Sequence, residues 1–162
     1  MVQDSLPSLE CSILRVEASF RIRLPLPLSR RVGWITGDRP VSAWLLLGSP
    51  ERCRLLSETE VESDHNLKSL RERITAEANT SGATLIDFHD QASTALALRL
   101  LPVQITPPRP GWRLTLPREI AAIMDVRPGE SDLAALFTQN HIEFWTIKGL
   151  RSAVAPSLTE IL

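Results

Sequence analysis

The sequence predicts a β-rich α/β protein, a pseudo-symmetric barrel made from two repeats with a helical connector between them. Three observations carry that prediction. The stretch from Gly111 to Trp145 reads as strand, short helix, turn and β-hairpin. A second copy of this order runs from Phe20 to about Leu56. Between the copies the apolar residues change from strand spacing to helix spacing.

Cys11, Ile13 and Val16 begin a strand. Phe20, Ile22 and Leu24 alternate with Arg21 and Arg23, as in a strand with one buried face. Pro25 ends it, since proline cannot donate to a ladder and is tolerated in the first turn of a helix. Leu28, Arg31 and Val32 suit a short helix closed before or at Gly33, and Thr36 to Pro40 is a turn. Val41 to Leu47 is a strongly apolar strand, paired through a Gly48-Ser49-Pro50 turn with Cys53 to Leu56.

The connector opens with the acidic, exposed run Glu58 to Asp64. Leu67, Leu70, Ile74 and Ala78 then fall at helical spacing, with Asp64 or Asn66 as N-cap and Gly82 as stop. Asp90 could cap a second helix through Ala92, Ala95, Leu96 and Leu100, ended by Pro102. A strand over 103–106 starts the second repeat. After the stiff turn at Pro107 to Gly111 come strand 112–116, helix 117–124, strand 132–138 and strand 141–146, then a last helix from Lys148, interrupted near Pro156. The resulting units are 11–57, 58–102 and 103–155.

A shift of 92 residues aligns the two copies without gaps for about thirty residues. Arg21 meets Arg113, Leu24 meets Leu116, Pro25 meets Pro117 and Gly37 meets Gly129. Ile13 meets Ile105. With three extra residues in the first hairpin turn, Cys53 falls over Ile142, a core place that suits a free cysteine.

The chain has 162 residues, 43% of them hydrophobic and 23% charged, the balance of an ordinary soluble globular protein. No apolar run has the ~20 residues of a membrane span, and the acidic N-terminus is not that of a secretory signal. Two cysteines fit a reducing compartment, so a cytoplasmic location is expected. The net charge is −1, but the charge is regional. Six arginines face only Glu17 and Asp38 between Arg15 and Arg39, and five face three acids between Arg99 and Glu130. Between Ser57 and Asp90 eight acids outnumber Lys68, Arg71 and Arg73. The repeats carry the positive charge and the connector the negative.

Residues 112–145 resemble the SpoVT/AbrB swapped-hairpin domain. The resemblance rests on Arg113, Leu116-Pro117, Ile120, Val126, Pro128-Gly129-Glu130 and Ile142-Glu143-Phe144-Trp145. Two such units in one chain, with a helical insert and the run Arg99-Leu100-Leu101 before the second, look like the MraZ family of bacterial transcriptional regulators. That resemblance implies one interleaved barrel per chain, assembly into rings, and binding of repeated DNA sites. It also implies a DNA-contacting Asp-x-x-x-Arg motif once per repeat, usually with Gly before the Arg. Repeat one has Glu17-Ala18-Ser19-Phe20-Arg21, with Phe in place of the Gly. Repeat two has Arg109-Pro110-Gly111-Trp112-Arg113, with Arg in place of the acid. An acid four residues before an arginine can orient the guanidinium through a bidentate pair, the role expected of Glu17.

Arginines on a strand-to-helix turn suit DNA, because a guanidinium bridges phosphates or reads guanine edges. Arg21, Arg23, Arg113 and Arg118 are the candidates, followed by Arg15 and Arg109. For any single one of them, a solvated strand face is the simpler reading. Enzyme signals are thin. His65, His89 and His141 show no metal-ligand spacing, and there is no phosphate-cradling loop or nucleophile elbow. His141 reads as a surface residue at a hairpin turn. The cluster Asp87-Phe88-His89-Asp90 reads as polar connector surface. The four tryptophans read as core or its lid, with Trp112 the one that adjoins a DNA-facing arginine. The expected function is therefore a DNA-binding regulator acting as a homo-oligomer, without catalysis, cofactor or metal. The alternative is a protein-interaction module on a barrel that has lost DNA binding, with another protein as partner.

Overall fold

The computed structural model describes residues 10–81, 99–107, 111–137 and 141–153. The strands are β1 (Glu10–Arg15), β2 (Arg21–Leu24), β3 (Val41–Ser49), β4 (Arg52–Ser57), β5 (Arg99–Thr106), β6 (Trp112–Thr115), β7 (Asp132–Phe137) and β8 (Ile142–Thr146). The helices are α1 (Leu26–Val32), α2 (Glu58–Ser63), α3 (His65–Ser81) and α4 (Arg118–Ile123). Residues 147–153 are also helical. The strands form one eight-stranded antiparallel sheet in the order β1-β7-β8-β4-β3-β5-β6-β2, curled into a nearly closed barrel whose ends, β1 and β2, approach each other. This is the β-rich barrel the sequence predicts. No described helix is long and apolar enough to cross a membrane.

The pairing is that of two interleaved halves. β1 pairs with β7 and β5 with β3, so each half lends its first strand to the other's hairpin. β2 pairs with its counterpart β6, and β4 with β8. Ile22 stands directly opposite Leu114, the residue matched to it by the repeat. Register corrects two other matches. Val41 pairs with Ile105, and Leu133, the counterpart of Val41, pairs with Leu14. The counterpart of Ile105 is thus Leu14; Ile13 points outward and is 59% exposed. Leu45 pairs with Leu55 and Phe137 with Ile142, so Leu55, not Cys53, is the counterpart of Ile142. Cys53 is nonetheless fully buried in the barrel core.

The core follows strand alternation. Ile22, Leu24, Leu45, Leu55, Ile105, Leu114, Phe137, Ile142 and Phe144 fill the barrel with Ile120 of α4. β3 is apolar on both faces because both are covered. Ala43, Leu45 and Leu47 face the barrel core, while Trp44 and Leu46 join a second cluster with Leu56, Val61, Leu70, Ile74 and Leu100. The acidic run after β4 is therefore not merely an exposed segment. It is the short helix α2, capped by Ser57, whose Oγ accepts the Glu60 N–H at 3.1 Å, and it drives Val61 into that cluster. Asp64 caps α3 as expected, with Oδ1 accepting from the N–H of Asn66 at 3.0 Å and of Leu67 at 3.1 Å. Arg71 of α3 grips Glu58 and Glu62 of α2, so part of the connector's acidity is neutralised within it.

β5 begins at Arg99, inside the stretch that the sequence assigned to the connector. Pro102 is not a helix terminator but a strand residue opposite Trp44. It is tolerated because β6 pairs with β5 only at Ile105 and Thr106, leaving that side of Pro102 without a ladder to serve. The end of the predicted second helix, at Leu100, is therefore strand rather than helix; the rest of that helix through Ala92, Ala95 and Leu96, the Asp87–Asp90 cluster with His89, and the break near Pro156 lie outside the described residues.

Candidate nucleic-acid interface

β2 and β6 form a short two-stranded ribbon. Alternation sends Ile22, Leu24, Trp112 and Leu114 into the core and leaves Arg21, Arg23, Arg113 and Thr115 on the outer face. Arg21, Arg23 and Thr115 are exposed and Arg113 is half-buried. Arg23 lies directly opposite Arg113, and Arg21 opposite Thr115. Like charges directly opposite on a ladder disfavour the pairing, and here Glu17 offsets part of that charge through its contact with Arg23. Trp112 is 3% exposed and belongs to the core.

A tight turn positions the ribbon. The Glu17 N–H donates to the Arg21 carbonyl at 2.8 Å, and the Phe20 N–H donates to the Glu17 carbonyl at 3.1 Å. Two successive left-handed residues close the turn, Ser19 at φ 66° and Phe20 at φ 62°. An aromatic residue in that region is strained. Phe20 is held there by packing against the barrel core and by its carbonyl, which accepts the Leu116 N–H at 2.8 Å. This is the place where the resembled motif carries glycine, the residue that adopts positive φ without a Cβ penalty.

Glu17 does not orient Arg21 through its side chain. Its carboxylate lies 3.5 Å from Nε of Arg23, and it meets Arg21 only through the backbone. Because residues 21 and 23 share the outer face, the acid of the turn can serve either, and here it serves the second. Arg15 has a different task. Its guanidinium donates to the carbonyls of Gly129 and Glu130 at 3.3 and 3.1 Å, and pairs with Asp132 at 2.9 Å. It clamps β1 onto the turn before β7. Arg118 is the exposed first residue of α4, just beyond the end of β6. Arg109 lies outside the described residues. The structure thus brings Arg21, Arg23 and Arg113 together on one ribbon.

The sequence matches no protein-family model and no curated protein.

A second polar constellation sits where β4 meets β8, and the sequence had no signal for it, since its members come from separate elements. His141 is half-buried rather than a surface residue. It lies 3.4 Å from Glu143 and 4.0 Å from Glu60. Trp145 Nε1 donates to Glu143 at 3.0 Å, and Arg52 stacks 5.2 Å over the Trp145 ring. Burial pushes the Glu60 carboxyl above its ordinary range, against the opposing pull of His141, Arg54 and the Ser57 backbone. Among the described residues, no group of three or more His, Cys, Asp or Glu is arranged to hold a metal ion.

Proposed function

We propose that this protein is a DNA-binding transcriptional regulator that contacts the duplex through the β2–β6 ribbon and acts as a homo-oligomer, without catalysis or cofactor. The observation that carries the reading is the placement of Arg23 opposite Arg113, with Arg21 beside them, on the outer face of a two-stranded ribbon. The major groove admits such a ribbon, and a guanidinium pairs with phosphates or guanine edges. Arg118 extends the basic surface past the end of β6. One ribbon reaches few phosphates, so repeating it around an assembly would multiply weak contacts. A cytoplasmic location goes with this role.

The test is duplex binding followed by fluorescence anisotropy at low and moderate salt. Binding should fall steeply with salt, and each of Arg21→Ala, Arg23→Ala and Arg118→Ala should reduce the log–log salt slope by about 1. No retention of DNA at low salt would overturn the reading. Light scattering tests the assembly, and a clean monomer counts against it.

A second reading is a protein-interaction module. It is favoured by the engagement of Glu17 with Arg23 and of Arg15 with Asp132, which neutralises part of the candidate arginine set. It is also favoured by two exposed apolar side chains at the barrel seam.

A further inference from the structure

The β2–β6 ribbon has a pseudo-twofold axis. The shift of 92 residues that relates the two repeats takes Ile22 to Leu114. These two stand directly opposite each other in the ladder, so the axis passes through their pair. It exchanges Arg21 with Arg113 and Arg23 with Thr115, and it carries the pair Arg21–Thr115 onto the pair Arg113–Arg23. Both members of the first exchange are arginines, but only one member of the second is. The asymmetry continues past the strands. Pro25 and Pro117 hold the same N-cap place before α1 and α4. The first helical residue is then Leu26 in α1 but Arg118 in α4, and both are exposed. Glu17 lies 3.5 Å from Arg23, whereas its counterpart in the repeat is Arg109, outside the described residues. One half of the outer face thus presents Arg21 and a carboxylate-paired Arg23 beside an exposed leucine. The other presents Arg113, Thr115 and Arg118.

We propose that the ribbon recognises a non-palindromic DNA duplex, whose two half-sites are read by different chemistry on either side of the Ile22–Leu114 pair. The proposal rests on the DNA-binding reading above and names the class of duplex that reading takes. A protein with true twofold symmetry mirrors that symmetry in its operator, so both half-sites carry one sequence. Here the backbone register keeps the axis and the side chains break it. Arg23 presents donors only, which suit guanine or a phosphate oxygen. Thr115 presents a hydroxyl that donates or accepts and a methyl that packs on the thymine methyl. Both side chains are exposed on the same outer face. A palindromic site would offer one base edge to both positions, and one of the two would be mismatched.

The test is selection by the full chain, at low salt, from a pool of duplexes of about 20 bp, two helical turns, with randomised centres. Sequencing the retained duplexes should show an enriched site whose halves differ. Thr115→Arg should make the halves alike, with the preference of the Arg23 half appearing in both, and should steepen the log–log salt slope by about 1. Arg23→Thr should also make them alike, with the Thr115 preference in both and a shallower slope. Thermal melts of both variants should stay close to the parent, since both side chains are exposed. A palindromic site enriched by the parent would overturn the proposal and leave the DNA-binding reading standing. An asymmetric site unchanged in both variants would do the same. So would retention of DNA with no sequence enriched, since the ribbon would then touch phosphates alone. Retention of no duplex at low salt would overturn the DNA-binding reading, and the proposal with it.

Discussion

Arg23 stands directly across the β2–β6 ladder from Arg113, each a strand residue on the outer face of the barrel. Opposite like charges cost a sheet roughly 0.2–1 kcal/mol. Replacing Arg23 by threonine, a good strand former that cannot repel Arg113, removes that cost and also the exposed ion pair with Glu17, which is worth little. We expect Arg23→Thr to leave the melting temperature unchanged or slightly higher, while DNA retention at low salt falls several-fold. A thermal melt and an anisotropy titration on the same sample check both halves. A loss of stability together with unchanged DNA binding would show that Arg23 serves the fold rather than the interface.

α4 ends in a Schellman motif. The Val126 N–H donates to the Ala121 carbonyl at 2.8 Å and the Asp125 N–H to the Ala122 carbonyl at 3.3 Å. Asp125 takes the left-handed position at φ 55°, where the first repeat has Gly33 at φ 78°. Aspartate tolerates this conformation better than most residues, but glycine has no Cβ to clash. Asp125→Gly should therefore stabilise the protein by about 0.5–1 kcal/mol in urea denaturation, and Asp125→Val should destabilise it by at least as much. Asp125 is exposed, so packing does not confound the comparison.

That pair of positions also shows how much the sequence discloses. Strand alternation and the proline stops place β2, α1, β6 and α4, because each is dictated by local period and by Pro25 or Pro117. The hairpins follow from their turn residues. What local pattern cannot supply is register. Ile13 and Leu14 are both apolar neighbours, and only pairing with β7 decides that Leu14 turns inward. Pro102 reads as a breaker until β3 lies on one side of it and no described strand pairs with it on the other. At the candidate interface, alternation already put Arg21, Arg23 and Arg113 on outer faces. That Glu17 meets Arg23, and that Arg15 grips the turn before β7, depend on a turn with two left-handed residues and on a partner strand far away in the chain.

Glu60 offers a pH test. Its Oε1 is buried without a hydrogen-bond partner, and burial raises its carboxyl in the folded state. A carboxyl raised on folding binds its proton more tightly in the native than in the unfolded state, so stability falls as pH rises from the unfolded value through the folded one. Glu60→Gln removes that loss. We expect the variant to be slightly more stable than the parent at neutral pH, since solvent screens a part-exposed group, with the gain vanishing below the ordinary carboxylate range. The attraction of His141 and Arg54 for the ionised form works against this gain. Paired urea titrations at pH 4 and pH 7 check the sign. A variant that is less stable at pH 7 would mean that these partners outweigh burial.

The two cysteines should separate cleanly by reactivity. Cys11 is exposed on the outer face of β1, whereas Cys53 is fully buried and opposite Phe144. Burial pushes the Cys53 thiol up to about 12, and the thiolate is the attacking species, so both access and ionisation protect it. With an aromatic disulfide reagent at neutral pH, one thiol per chain should react promptly and the second only as fast as the protein opens. Denaturant that unfolds the barrel should expose both. Cys11→Ser should abolish the prompt reaction and leave stability nearly unchanged. Cys53→Ser should lower stability by roughly 1–3 kcal/mol, because it puts a hydroxyl into the barrel core between Leu47 and Phe144, its neighbours across the two ladders. Two equally prompt thiols in the native protein would show that the β4–β8 contact opens readily. Since that contact joins the two halves opposite the β2–β6 ribbon, its opening would loosen the interleaved barrel on which the proposed interface depends.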